Sequence, residues 1–288
     1  MTPELQQLAK YHQSPAISST FLKAAYKGPP STFHKNHVAL DRAPFVPTEA
    51  MRQGSFVDAL CTQPSIDPFY KVLPDDMPRR PTAKQLTDGA SSREGTKAHN
   101  AWVDYNENEK RWQDFESDLN GREVVSKAWM ERAVDIAYNL LLVKLDWPWR
   151  QGQTPHYWTD PVLGPCRYMP DLEDEYRLID LKKTRNAAPH AFDAQAGDLA
   201  YEIQLAHYCE GYRNKRGKYP KEVWIVSYEW ENPERYCFRP CPDSYLETGR
   251  RRRLEAFQTI TRCKEANSWP SYQSVPMRTK GQQSTAYI

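Results

Sequence analysis

The stretch MPDLEDEYRLIDLKKT at residues 169–184 decides the fold of this chain. Its apolar and aromatic residues predict a strand that contains Asp180, Leu181 and Lys182. Because side chains alternate along a strand, Asp180 and Lys182 project from one side while Leu181 points into the core. Asp171 stands at the end of a preceding predicted strand. If the two strands form a hairpin, the carboxylates of Asp171 and Asp180 converge.

These charged residues indicate metal-dependent chemistry. Two carboxylates at strand ends are hard oxygen ligands suited to Mg²⁺ or Mn²⁺, and the Leu181 carbonyl between them can add a ligand. A lysine such as Lys182, beside a metal-bound water, can orient that water, assist its deprotonation or stabilise charge on phosphorus. The alternative is structural, since aspartate and lysine are common on the solvent face of a strand.

A helix predicted over Leu199–Tyr212 supports the chemical interpretation. Gln204 and Tyr208 are four residues apart, so they lie one above the other on this helix. Such a pair can hydrogen-bond a phosphate or hold Lys182 in place. Alternatively, the two residues belong to an ordinary helix interface.

Short helical and strand-forming segments surround this core. Helices are predicted over 18–26, 54–61, 102–119, 126–143, 199–212 and 250–266, and strands over 157–159, 166–169, 176–181 and 223–228. The prolines within 62–92 predict an irregular connection. The pattern predicts an α/β (α+β) fold with a short mixed central sheet flanked by helices. We expect an N-terminal extension (1–50) packed on the core, a main domain (51–270) and a C-terminal tail (271–288).

The composition is that of a globular protein. The 288 residues are 39% hydrophobic and 26% charged, with a formal net charge of +2, so a nucleic acid would have to bind a local patch. No stretch reaches the roughly 18 apolar residues of a membrane span, so we expect no membrane association. The first residues lack a signal-peptide pattern, and we expect a cytoplasmic protein with six free cysteines. Cys237 and Cys241 match half of a metal site, but no second pair follows.

These features resemble the exodeoxyribonuclease VIII (RecE-type) nuclease domains of phages and prophages, within the PD-(D/E)XK superfamily. The core pattern is Pro170-Asp171, an apolar strand, and then Asp180-x-Lys182. Further similar segments follow the same order along the chain: Tyr11–Lys23, Gly54–Leu60, Phe192, Tyr201–Tyr208, Arg251–Phe257, Cys263 and Trp269–Pro270. The resemblance covers most of residues 11–270 and implies a core like that of restriction endonucleases.

The resemblance also implies roles for individual residues. Asp171 and Asp180 match the metal-binding carboxylates, and Lys182 matches the catalytic lysine. Gln204 and Tyr208 match the supporting Gln-x3-Tyr pair.

One position departs from the family pattern. Many relatives carry a metal-binding histidine four residues after a glycine, whereas here Gly54 is followed at that spacing by Asp58. Asp58 either binds Mg²⁺ as a further carboxylate or is an ordinary helix residue. His99, which follows Gly95 at the same spacing, is the other candidate for this ligand.

The predicted DNA contacts are Lys183, Thr184 and Arg185, at the exit of the catalytic strand. The basic run Arg250–Arg253 either neutralises phosphates or forms a solvated helix face. Four tryptophans either stack on bases or pack in the core: Trp147, Trp149, Trp224 and Trp230.

The resemblance implies an exonuclease that degrades the 5′ strand of linear double-stranded DNA and leaves a 3′ single strand for recombination. Mg²⁺ or Mn²⁺ would serve it, with two ions per site roughly 4 Å apart. It also implies a ring-like homo-oligomer, a single-strand annealing protein as partner, and a phage or prophage origin. The sequence contains no Walker A pattern, so ATP-driven translocation is not expected. The alternatives are a RecB-like or CRISPR-adaptation-like nuclease with an iron–sulfur cluster, and a catalytically silent DNA-binding protein of the same fold.

Overall fold

The computed structural model describes residues 1–41, 46–142 and 152–272. The helices are α1 (Pro3–Gln13), α2 (Ser19–Lys27), α3 (Pro30–His37), α4 (Glu49–Thr62), α5 (Ala83–Asp88), α6 (Lys97–Ser117), α7 (Lys127–Leu142), α8 (Pro189–Asp198), α9 (Tyr201–Arg216) and α10 (Asp243–Glu265). The strands are β1 (Tyr70–Val72), β2 (Glu123–Val125), β3 (His156–Asp160), β4 (Gly164–Tyr168), β5 (Leu172–Glu173), β6 (Arg177–Thr184), β7 (Glu222–Glu229) and β8 (Tyr236–Pro240).

A four-stranded mixed sheet forms the centre, with the strand order β5-β6-β7-β8. Strands β6 and β7 run parallel, whereas β5 and β8 are antiparallel to their neighbours. A parallel pair needs a crossover connection, and α8 and α9 supply it between β6 and β7. Strands β1 and β2, and strands β3 and β4, form two smaller sheets. The predicted fold class, a short mixed sheet flanked by helices, is confirmed.

The alternation of side chains gives the central sheet two buried faces. Leu178, Val223 and Ile225 belong to one hydrophobic core, which includes residues of α2, α9 and α10. Ile179 and Leu181 point the other way, into a second core with residues of α4 and α7. Both faces are covered, as is usual where strands are joined by helical crossovers. The polar side chains of Asp180 and Thr184 on β6 are therefore enclosed and need partners within the protein.

Helix α9 covers the polar part of β6. Every residue from Tyr201 to Tyr212 is buried, and glycines set the distance to the neighbouring elements. A Cβ on Gly211 would lie 2.3 Å from Tyr168 Cδ1. A Cβ on Gly249 of α10 would lie 2.0 Å from the Glu202 carbonyl oxygen. Because real Cβ contacts are not that short, the two glycines allow β4 and α10 to approach α9 closely.

An enclosed ionic cluster ties α10 to α9 and β3. Arg253 is 5% exposed and pairs with the buried carboxylate of Asp160. Arg253 Nε also donates to His207 Nδ1 at 3.2 Å. His207 Nε2 lies 3.0 Å from the Arg167 carbonyl oxygen. Burial, followed by the charge of Arg253, lowers the pKa of His207 to about 3, so this ring is neutral at pH 7.

The predicted elements of the core are present with shifted ends. The strand that contains Asp180 extends to Thr184, and the last helix begins at Asp243 instead of residue 250. The prediction that 62–92 is irregular throughout is wrong, because β1 and α5 lie there. Strand β1 is defined by its pairing with the distant β2, and α5 begins at a capping box between Thr82 and Gln85. The sequence patterns also miss α1, α3, α8, β2, β5 and β8.

The division of the chain at residues 50 and 270 stays a prediction. Side chains of α2 and α3 share one core with α9 and α10. Val143, Trp147, Trp149 and most of the predicted tail, 273–288, lie outside the described residues. None of the helices in the described ranges combines the length and the apolar character needed to cross a membrane.

Candidate active site

Asp180 and Lys182 lie together on the face of β6 that α9 covers, as predicted from strand alternation. Asp180 is 1% exposed, and its Oδ2 is 2.5 Å from Lys182 Nζ. The same ammonium group donates to the Leu181 carbonyl at 3.0 Å. Burial alone would lower the pKa of Lys182, but the carboxylates of Asp180 and Asp171 outweigh burial and raise it. The lysine is therefore held in its charged form.

Asp171 reaches the same place through the short strand β5, which follows it directly. Strand β5 pairs Leu172 with Ile179 in antiparallel register. Asp171 Oδ2 then accepts a hydrogen bond from the Leu181 N–H at 2.7 Å. The convergence predicted for the two carboxylates is present, although the strand paired with β6 is β5 and not the one before Asp171. Burial, and then the charge of Asp180, raises the pKa of Asp171 to about 7.

Asp58 lies on α4 and interacts electrostatically with Asp171, Asp180 and Lys182. Its Oδ1 atom is buried and has no hydrogen-bond partner among the described residues. Burial raises the pKa of Asp58 well above its usual value, and the charges of Asp171 and Asp180 raise it further, while Lys182 lowers it. A buried carboxylate oxygen without a partner suits a cation ligand.

His99 lies on α6, where its ring centroid is 5.5 Å from that of Trp102. Asp58, in contrast, interacts with both strand carboxylates. His99 Nδ1 is also buried without a hydrogen-bond partner among the described residues, so only the charge interactions favour Asp58 over His99 as the further ligand. The ligand role itself stays a prediction.

Gln204 contacts both Tyr208 and Asp180. Gln204 Nε2 donates to Asp180 Oδ1 at 2.9 Å and lies 3.2 Å from the Tyr208 hydroxyl oxygen. Tyr208 is 9% exposed, and burial raises the pKa of its hydroxyl, as do the charges of Asp180 and Asp171. Gln204 thus holds the Asp180 carboxylate from the α9 side, and Tyr208 contacts Gln204.

Lys23 and Tyr201 also lie in this group, and the sequence analysis assigned neither a role. Lys23 Nζ donates to Gln204 Oε1 at 2.6 Å. The ring centroid of Tyr201 is 5.5 Å from Lys23 Nζ and 5.3 Å from Lys182 Nζ. Burial, and then the charge of Lys182, lowers the pKa of Lys23 to about 8. The sequence signal was limited to the position of Lys23 inside the Tyr11–Lys23 segment.

The three predicted DNA contacts differ in exposure. Arg185 is exposed and forms no ion pair with any described residue, and Lys183 is partly exposed, with a pKa lowered mainly by burial. Thr184 is 7% exposed, and its hydroxyl lies 2.7 Å from Gln195 Oε1. Lys183 and Arg185 can meet a phosphate, whereas Thr184 is placed to hold the corner between β6 and α8.

The basic run of α10 does not form a free cationic face. Each of its arginines pairs with a carboxylate: Arg250 with Glu247, Arg251 with Glu255, Arg252 with Glu202, and Arg253 with Asp160. A role in packing α10 is therefore favoured over DNA contact. Trp230 is 6% exposed and Trp224 packs against the second core, so core packing is favoured for both.

The donor atoms of the site suit a hard divalent cation. In the part of the chain that the structure describes, no group of three or more His, Cys, Asp and Glu side chains is assembled as a metal site. The available donors are nevertheless all oxygens, from Asp58, Asp171, Asp180 and the Leu181 carbonyl. A cation among these carboxylates would offset the repulsion and burial that raise their pKa values.

A mixed sheet that brings Asp171, Asp180 and Lys182 together under a helix carrying Gln204 is the arrangement of a PD-(D/E)XK nuclease fold. The chain belongs to the family described as PDDEXK-like domain of unknown function (DUF3799), which matches residues 18–275. A crystal structure of a protein from Eubacterium rectale named "Putative exonuclease" has a similar fold, with a TM-score of 0.54, 14% identity and 96% of each chain covered. No curated protein matches the sequence. The PD-(D/E)XK superfamily is thus confirmed, while the closer resemblance to exodeoxyribonuclease VIII stays a prediction.

Proposed function

We propose that the protein is a metal-dependent deoxyribonuclease that hydrolyses phosphodiester bonds. The observation that carries the proposal is the convergence of Asp171, Asp180 and Lys182 around the middle of β6. Enclosing these charges costs stability, and apolar residues of similar volume would often pack at least as well. A ligand and a reaction give a reason for the three residues to be present together.

Asp58, Asp171, Asp180 and the Leu181 carbonyl would hold Mg²⁺ or Mn²⁺, with two ions per site in our proposal. A bound divalent ion supplies an activated water and stabilises the charge that develops on the phosphate. In the site without metal, the carboxylates of Asp180 and Asp171 raise the pKa of Lys182 and favour its charged form. Its ammonium group would orient the attacking water or neutralise a phosphate oxygen.

The finer part of the proposal is that the enzyme is an ATP-independent exonuclease acting on the ends of linear double-stranded DNA. The resemblance to exodeoxyribonuclease VIII alone supports four further parts of the proposal: degradation of the 5′ strand, a ring-like homo-oligomer, a single-strand annealing partner and a phage or prophage origin. Lys183 and Arg185 are the proposed phosphate contacts beside the site.

Digestion of a linear duplex, labelled separately at its 5′ and 3′ ends, tests this proposal. The reactions contain Mg²⁺ or EDTA, and a closed circular duplex is treated in parallel. We expect Mg²⁺-dependent release of the 5′ label while the circle stays intact. Release of the 3′ label first would indicate an exonuclease of the opposite polarity. Cutting of the circle would indicate an endonuclease on the same fold. No cleavage with Mg²⁺ or Mn²⁺ would refute the nuclease proposal.

A catalytically silent DNA-binding protein is the second candidate function. It is favoured by Asp58, which stands where many relatives have a metal-binding histidine. Duplex binding without cleavage, in both the wild type and Asp58→His, would support it. Recovery of cleavage in Asp58→His alone would instead show that the active site is intact apart from this ligand.

A further inference from the structure

Lys23 reaches the candidate active site from α2, which is remote in sequence from the catalytic strand. Ser18 caps α2, and Leu22 anchors it in the core beside α9, which brings the next residue to Gln204. Lys23 Nζ donates to Gln204 Oε1 at 2.6 Å, and Gln204 Nε2 donates to Asp180 Oδ1 at 2.9 Å. A continuous hydrogen-bonded path therefore joins α2 to a carboxylate that we propose binds metal.

The charge of Lys23 fixes the orientation of the Gln204 side-chain amide in this path. A carboxamide has one accepting end and one donating end, which exchange places when the group flips. In the flipped state, Gln204 Oε1 would face the Asp180 carboxylate and Nε2 would face the Lys23 ammonium group, so both hydrogen bonds would be lost. Lys23 and Asp180 therefore fix the same amide orientation from opposite ends.

The surroundings of Lys23 do not account for it by packing alone. Among the residues in the described ranges, Lys23 forms no ion pair within 4.0 Å. Its ammonium group instead lies 5.5 Å from the centroid of the Tyr201 ring, and that centroid is 5.3 Å from the ammonium group of Lys182. The charge of Lys182 lowers the pKa of Lys23, and a partly enclosed lysine without a carboxylate at ion-pair distance is costly. A functional contact with Gln204 explains why a lysine stands there.

We infer that Lys23 is a positioning residue of the active site, which fixes the Gln204 amide and thereby holds Asp180 Oδ1 in place. This inference rests on the proposed nuclease function and deepens it. The oxygen that Gln204 does not hold, Asp180 Oδ2, is the one that faces Lys182.

A double-mutant cycle with Lys23→Met, Gln204→Leu and the double variant tests the inference. Removing a group that orients a metal ligand costs roughly 10- to 100-fold in metal affinity or activity. We expect each single variant to lose both Mn²⁺ affinity, measured by calorimetry, and cleavage rate by such a factor. The double variant should be no worse than Gln204→Leu alone. Lys27→Met removes an exposed lysine from the same helix and should keep the wild-type values.

Additive losses would overturn the inference, because Lys23 would then act independently of Gln204. Unchanged Mn²⁺ affinity and cleavage in folded Lys23→Met would also overturn it. Thermal unfolding checks that each variant is folded, and Lys23→Gln replaces Lys23→Met in the cycle if the latter does not fold.

The two proposals fail in different ways. A wild-type protein that binds Mn²⁺ and shows the expected coupling, but does not cut DNA, would remove the nuclease function and leave the positioning role. Cleavage by the wild type together with additive losses would remove the positioning role and leave the nuclease function. A wild type that does not bind Mn²⁺ would remove both.

Discussion

His207 offers a quantitative test of the buried cluster that fixes α9. Its Nε2 lies 3.0 Å from the Arg167 carbonyl and its Nδ1 accepts from Arg253 Nε at 3.2 Å, so both partners suit a neutral ring with the proton on Nε2. The pKa of His207 in the folded protein is about 3, because of burial and then the charge of Arg253. In an unfolded chain, a histidine has a pKa of about 6.5.

Between these two pKa values, the unfolded state binds a proton that the folded state does not bind. The stability contributed by His207 is therefore present above about pH 6.5 and is lost as the pH falls toward the folded pKa. At about 1.4 kcal/mol per pH unit, lowering the pH from 7 to 5 costs about 2 kcal/mol through this residue. The raised pKa values of Asp58 and Asp171 make the folded state more stable as the pH falls. The pH dependence of wild-type stability therefore does not isolate the contribution of His207.

The assay is urea unfolding of the wild type and His207→Gln at pH 7, 6 and 5. Glutamine keeps a donor and an acceptor but does not titrate. Since only the wild type loses the contribution of His207, we expect the stability difference between the two proteins to shrink by about 2 kcal/mol from pH 7 to pH 5. A difference that stays constant over this range would refute the reasoning.

Three further predictions concern single side chains. Arg253→Leu leaves the buried Asp160 carboxylate without its ion-pair partner and should lower the free energy of unfolding in urea by roughly 3–5 kcal/mol. Arg251→Leu, which removes an exposed arginine, should lower it by about 1 kcal/mol or less. Equal losses in the two variants would contradict the prediction. Gly249→Ala places a Cβ 2.0 Å from a backbone oxygen of α9 and should cost roughly 1–3 kcal/mol, so an unchanged melting temperature would be against it. Asp58→Asn removes a buried carboxylate of raised pKa, so without metal at pH 8 the variant should have a higher melting temperature than the wild type. Added Mn²⁺ should raise the melting temperature of the variant by less than that of the wild type. A larger rise in the variant would exclude Asp58 as a ligand.

The sequence predicts the centre of the site because local rules decide it. Alternation along one strand puts Asp180 and Lys182 on the same side, and helical spacing stacks Gln204 on Tyr208. The position of Asp171 is harder to predict, because β5 has two residues and is too short to show any periodicity.

Other features depend on tertiary contacts that no local pattern reports. The hydrogen bond from Lys23 to Gln204 spans 181 residues and follows from how α2 packs against α9. The run Arg250–Arg253 suggests one basic face, yet successive helix positions turn by about 100°. The four arginines therefore reach different carboxylates, on α10, α9 and β3.

The central claim is that Asp171, Asp180 and Lys182 form the active site of a deoxyribonuclease, and Asp180→Asn tests it most directly. Single-turnover cleavage of an end-labelled linear duplex in Mn²⁺ is compared among the wild type, Asp180→Asn and Asp198→Asn, an exposed aspartate on α8. Duplex binding is measured for each protein by fluorescence anisotropy. We expect cleavage by the wild type and Asp198→Asn, and none by Asp180→Asn, with similar binding for all three. Wild-type cleavage rates in Asp180→Asn would contradict the assignment of the site.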